Sequence, residues 1–100
     1  MKFVVLFEDD PAAGPDVRRR HMPEHLAFLE RHASKVQAAG PLKSADSRDV
    51  GGLWLVDAHD PAEVELLVRE DPFWPTGLRK SVRVLGGTQV FADGKRLISV

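Results

Sequence analysis

Two short stretches are apolar on both of their faces, and they restrict what this chain can fold into. Over residues 2–8, Phe3, Val5 and Phe7 point to one side of an extended strand while Val4 and Leu6 point to the other. The run Leu53-Trp54-Leu55-Val56-Asp57 has the same character. A sheet with one face in water alternates apolar and polar residues along its strands. These two strands do not, so the sheet they form needs cover on both sides.

The rest of the chain supplies two helices. Pro23 to Gly40 reads as one amphipathic helix, with Pro23 at its first position, Leu26, Leu29, Ala33 and Val36 as its buried face, and Gly40-Pro41 as its stop. Residues 16–22 read as a short helical turn that breaks at Met22, before the proline. The second helix starts at Asp60-Pro61-Ala62-Glu63, where Asp60 caps and Glu63 has capping-box spacing. Val64, Leu67 and Val68 give it a buried face, and Asp71-Pro72 ends it. A weak strand at residues 41–45 and a fourth at 78–85 complete the set, with Gly51-Gly52 and Gly86-Gly87 read as turns. The tail reads as a hairpin turning at Asp93-Gly94.

The order β-α-β-β-α-β is that of a ferredoxin-like α+β sandwich. One hundred residues suit a single domain, here a core over 1–86 with a hairpin extension over 87–100. Two short helices cover one face of a four-stranded sheet. The cheapest cover for the other is a second copy, so a homodimer is expected, with further pairing of dimers left open.

Several function classes drop out. A net charge of −1 gives no reason to expect nucleic acid, and Arg18-Arg19-Arg20 is flanked by Asp16 and Glu24. Without cysteine there is no disulfide, thiol nucleophile or thiolate metal site. No run approaches the roughly 20 apolar residues that span a bilayer. The expectation is a cytoplasmic protein without membrane or nucleic-acid partners.

Chemistry centres on His25, at the edge of the first helix's apolar face. In a ferredoxin-like fold the loop after the second helix can return near the start of the first and bring Asp71 toward His25. A carboxylate that accepts an imidazole N–H fixes the tautomer and leaves the other ring nitrogen to move a proton. The plainer readings are a helix-ending aspartate and a core histidine satisfied by backbone. Arg18, Arg19 or Arg20 can place a cation over an anionic substrate. Phe73 and Trp74 can wall a pocket or serve as ordinary core aromatics. His21 and His25 are four apart, but Pro23 lies between them and no third ligand has helpful spacing, so no metal is expected. His32 and His59 read as solvated. No nucleophile signature or phosphate loop is present, and no cofactor is expected.

Taken in order, Arg18–Arg20, His25-Leu26-Ala27-Phe28-Leu29, Ala39-Gly40-Pro41-Leu42, Gly51-Gly52-Leu53, Asp71-Pro72-Phe73 and Gly77-Leu78 resemble the YCII-related (YciI-like) family over residues 1–86. The resemblance implies a dimeric α+β barrel and an active site pairing His25 with Asp71. Related barrels include muconolactone isomerases, a dehalogenating hydrolase and cofactor-free monooxygenases, so the fold does not fix the reaction. Two functions follow as expectations. One is a small cofactor-free enzyme using His25 and Asp71 for acid/base chemistry of lyase, isomerase or hydrolase type on a small organic substrate. The other is a non-catalytic dimeric module that binds a small ligand or modulates a partner.

Overall fold

The structure, a computed structural model, describes residues 1–99. Strands β1 (Lys2–Asp9), β2 (Val36–Lys43), β3 (Asp49–Asp57) and β4 (Arg79–Gly87) form one antiparallel sheet in the order β2-β3-β1-β4. Helix α1 (Val17–Arg31) links β1 to β2, and α2 (Pro61–Glu70) links β3 to β4. Each connection skips one strand, the split βαβ arrangement of a ferredoxin-like fold. The tail forms a separate hairpin of β5 (Phe91–Ala92) and β6 (Lys95–Arg96). Asp93 and Gly94 turn it with φ of 53° and 75°, the positive pair that a two-residue hairpin turn favours.

Register explains the core. Phe3, Val5 and Phe7 lie opposite Val56, Trp54 and Gly52, and Phe28, Val64, Leu67 and Val68 close over them from the helices. Each such side chain gains roughly 1.5–3 kcal/mol on burial. A smaller cluster of Val17, Phe73 and Leu78 ties the start of α1 to the loop after α2. The other sheet face pairs Val4 with Leu55 and Leu85, and Leu6 with Leu53. Leu55 and Leu85 remain 37% and 39% exposed, and no layer of the described residues covers them.

The first helix differs from its sequence reading at both ends. It starts at Val17, so Pro23 lies inside it and His21 is helical. Pro23 and Arg19, whose carbonyl the proline leaves unbonded, are both exposed, so that side of the helix is open to solvent and the usual penalty is softened. The helix stops at Arg31, and residues 36–40 pair with β3 instead; tertiary pairing overrides their weak strand propensity. The buried residues are Val17, His25 and Phe28, while Leu26 is 48% exposed. His25 therefore stands on the buried stripe in place of Leu26, while Leu29 packs partly buried against the core as its spacing predicts.

Gly51 and Gly52 are also not a turn but the middle of β3. A Cβ on Gly51 would stand 2.0 Å from the Phe7 carbonyl oxygen, so only glycine allows that approach of the strands. The second helix follows its reading: the Asp60 side chain accepts from the Glu63 N–H at 2.9 Å. Glu63 reaches back one residue further than a capping box requires, to the His59 N–H. Among the described residues no helix is long and apolar enough to cross a membrane.

Candidate active site

Asp71 caps the C-terminus of α2 and is fully buried. Its backbone N–H donates to the Leu67 carbonyl at 3.2 Å, and its Oδ1 accepts from the Phe73 N–H at 3.1 Å. The turn that stops α2 thus also fixes the carboxylate. His25 Nδ1 lies 2.8 Å from the same Oδ1. The imidazole ring packs against Phe73, with centroids 4.5 Å apart, and lies 6.3 Å from Trp54. With Nδ1 engaged, Nε2 is the ring nitrogen left over. His25 lines a cavity of about 110 Å³ between α1 and the sheet. Nε2 has no hydrogen-bond partner among the described residues and is not sealed from solvent, so it is the nitrogen that a bound molecule can meet.

A third group was not singled out from sequence. Arg79, the first residue of β4, places Nη2 2.7 Å from Asp71 Oδ2. Its side chain is only 7% exposed. The contact is an ion pair by distance, although it is not aligned as a hydrogen bond, and Arg79 Nη1 meets no acceptor among the described residues. The guanidinium lies 3.8 Å over the Phe7 ring and 5.4 Å from the rings of Trp54 and Phe73. A desolvated cation over aromatic faces is worth about 2 kcal/mol or more, which helps offset the bare N–H. Sequence offered no signal for this residue, because a strand-initial arginine normally reads as solvated.

Electrostatics follow from this packing. Burial pushes the Asp71 carboxyl up, but the His25 bond, the Arg79 charge and the Phe73 N–H outweigh it and hold Asp71 below the usual carboxylate range. Burial likewise pulls the Arg79 guanidinium below its ordinary value, against the opposing pull of Asp71. The carboxylate is therefore ionised and shared between an imidazole and a guanidinium. An ionised carboxylate beside neutral imidazole accepts from Nδ1–H, which leaves the lone pair on Nε2.

The other residues read from sequence divide into two groups. Phe73 and Arg18 line the cavity with His25. Arg18 is tied to Asp9 at 2.5 Å and to Asp49 at 3.8 Å. Arg19 points away, 80% exposed and paired with Asp16. Trp74 is 45% exposed and lines a separate groove with Val68, Val82 and Val84; Trp54 takes the place expected of it at the cavity. His21 and His25 do share one helix, but His25 turns to Asp71 and His21 lies near Glu24. Among the described residues, no group of three His, Cys, Asp or Glu converges as a metal site.

The YCII-related domain model matches residues 1–87. The chain belongs to the YCII-related family. Among solved structures, it is similar to 5-chloro-2-hydroxyhydroquinone dehydrochlorinase (TftG) from Burkholderia phenoliruptrix, in complex with 2,5-dihydroxybenzoquinone. That likeness has a TM-score of 0.77 at 29% identity and covers 88% of this chain and 94% of the other. Rv0793 from Mycobacterium tuberculosis shares the fold with a TM-score of 0.51 at 14% identity, over 88% of this chain and 94% of its own. No curated protein matches the chain. The β5–β6 hairpin lies beyond the family match.

Proposed function

We propose that this YCII-related protein is a cofactor-free enzyme in which His25 Nε2 moves a proton on a small organic substrate held in the adjoining cavity. The observation that carries the reading is the buried His25–Asp71 pair, with one ring nitrogen fixed and the other free at a cavity. Asp71 orients the ring and stabilises the imidazolium that forms. The aromatic walls suit a small planar molecule, and the likeness to a dehydrochlorinase bound to a dihydroxybenzoquinone supports a hydroxylated ring. In an elimination of this kind, Nε2 takes an acidic substrate proton. The ring reacts as its keto tautomer, formed by moving a hydroxyl proton to the carbon that bears chlorine. The electron pair left by the proton that Nε2 takes then forms the new π bond as chloride leaves that tetrahedral carbon. HCl is thus lost with no change in the protein beyond the transferred proton. Of the arginines read from sequence, Arg18 lines the cavity, and to meet an anionic oxygen it has to give up part of its pairing with Asp9 and Asp49.

We further propose that the active form is a homodimer closed over the Val4, Leu6, Leu53, Leu55 and Leu85 face. That face is apolar apart from Arg83, which lies opposite Leu6, and it adjoins no other layer of the described residues; a second copy of the same face is the simplest cover.

The test is chloride release from 5-chloro-2-hydroxyhydroquinone and related halogenated hydroxylated rings, with the parent and with His25→Ala. General acid/base contributions run to roughly 10²–10⁴-fold, so a loss of that size is expected. Turnover retained in His25→Ala removes the histidine from the mechanism. Saturable binding without turnover of any of these compounds would instead favour a ligand-binding module.

A further inference from the structure

The proposed acid/base role leaves Arg79 unexplained. A buried arginine could have been spared by a leucine at the same place, since a buried ion pair is rarely more stabilising than an apolar substitute of similar volume. Its position is specific. Asp71 offers one oxygen, Oδ1, to His25 and to the Phe73 N–H, and the other, Oδ2, to Arg79 alone. The guanidinium is pinned from behind by Phe7, and its Nη1 meets neither solvent nor an acceptor among the described residues. Arg79 lines the cavity, but its guanidinium is held between the Phe7 ring and the Asp71 carboxylate, and the carboxylate is the group it acts on.

We propose that Arg79 is a positioning residue that keeps the pair's proton on His25 Nδ1, so that the Nε2 lone pair faces the cavity. The alternative arrangement is a protonated Asp71 that donates to Nδ1, which forces the ring proton onto Nε2 and removes the base. Burial of Asp71 favours that alternative, and Arg79 opposes it. The other charged groups around the cavity cannot substitute. Asp9 of β1 and Arg18 of α1 neutralise each other, Asp49 of β3 lies against Arg18, and β2 contributes only Ala39, Gly40 and Pro41 to the lining. The inference gives the proposed base its resting tautomer and so rests on that reading, but its test involves no turnover.

The experiment follows the Asp71 carboxyl carbon and the two His25 ring nitrogens by NMR across pH, in the parent, Arg79→Met and Arg79→Lys. In the parent the ring should show a bare Nε2 and a protonated Nδ1. In Arg79→Met the Asp71 carboxyl should take up its proton at least about one pH unit higher, the size of effect one adjacent cation exerts, and the bare-nitrogen signal should pass to Nδ1. Arg79→Lys keeps a charge and should stay closer to the parent. The same carboxyl transition and the same tautomer in the parent and a folded Arg79→Met would overturn the proposal. Should Arg79→Met not fold, Arg79→Gln is read in the same way. If neither folds, Arg79→Lys decides: a carboxyl that takes up its proton at higher pH than in the parent supports the role, and an identical transition with an identical tautomer contradicts it. Loss of chloride-releasing activity would sink the proposed function without touching these signals.

Discussion

At the residue scale, Asp71 joins structure to chemistry. It ends α2, bonds the Phe73 N–H, holds His25 and faces Arg79. Asp71→Asn leaves Arg79 buried without its counter-charge, and removing one member of a buried pair costs about 3–5 kcal/mol. Urea unfolding at pH 7 should show that loss. Because the folded Asp71 carboxyl lies below its unfolded value, its stabilisation is complete above the unfolded value of about 3.9 and is lost as pH falls through the folded one. The gap between parent and Asp71→Asn should therefore close on acidification; a gap that persists at low pH contradicts this. Gly51 and Gly52 give a contrasting pair. A Cβ on Gly52 would meet the Gly40 oxygen at 3.4 Å and the Phe7 ring at 3.6 Å, contacts that fold without large shifts, whereas Gly51 cannot take one. Gly52 also lines the cavity. Gly52→Ala should leave the fold intact but weaken binding of 2,5-dihydroxybenzoquinone at least about tenfold, or 1.4 kcal/mol, by calorimetric titration. Gly51→Ala should lower stability itself, by about 1–3 kcal/mol.

The element scale shows what sequence could and could not reveal. The second helix was legible because capping chemistry is local: Asp60, Pro61 and Glu63 act within one turn. The first was legible in kind but not in extent. Pro23 fits a helix start so well that an earlier start at Val17 is hidden, and Ala38-Ala39-Gly40 carries no strand signal until β3 lies beside it. His25 and Asp71 were visible as candidates through the family resemblance. Arg79 was not, because only the crossing of β4 past the end of α2 brings it to the carboxylate. An interior proline costs a helix about 3 kcal/mol, offset in part by the freedom it removes from the unfolded chain. Pro23→Ala should thus raise stability by about 1–2 kcal/mol on this accounting, seen as a later thermal midpoint. An unchanged or earlier midpoint would mean that the proline is needed where it stands.

At the scale of the whole molecule, the open sheet face and the cavity make separate demands. The helix-side core and the His25–Asp71–Arg79 cluster are complete in one chain, while Leu55 and Leu85 on the far face are not covered. Leu55→Arg should convert the expected dimer to a monomer, as measured by light scattering, while the monomer keeps its helix and strand content. The β5–β6 hairpin contributes nothing to either core cluster, so a chain ending at residue 87 should unfold at nearly the parent's temperature. The central claim concerns the cavity. A crystal structure of the protein with 2,5-dihydroxybenzoquinone tests it most directly. The account predicts the ring between Trp54 and Phe73 with an oxygen within hydrogen-bond distance of His25 Nε2, and the Nδ1–Asp71 bond unbroken. A ligand seated elsewhere, or an imidazole turned away from Asp71, would contradict it.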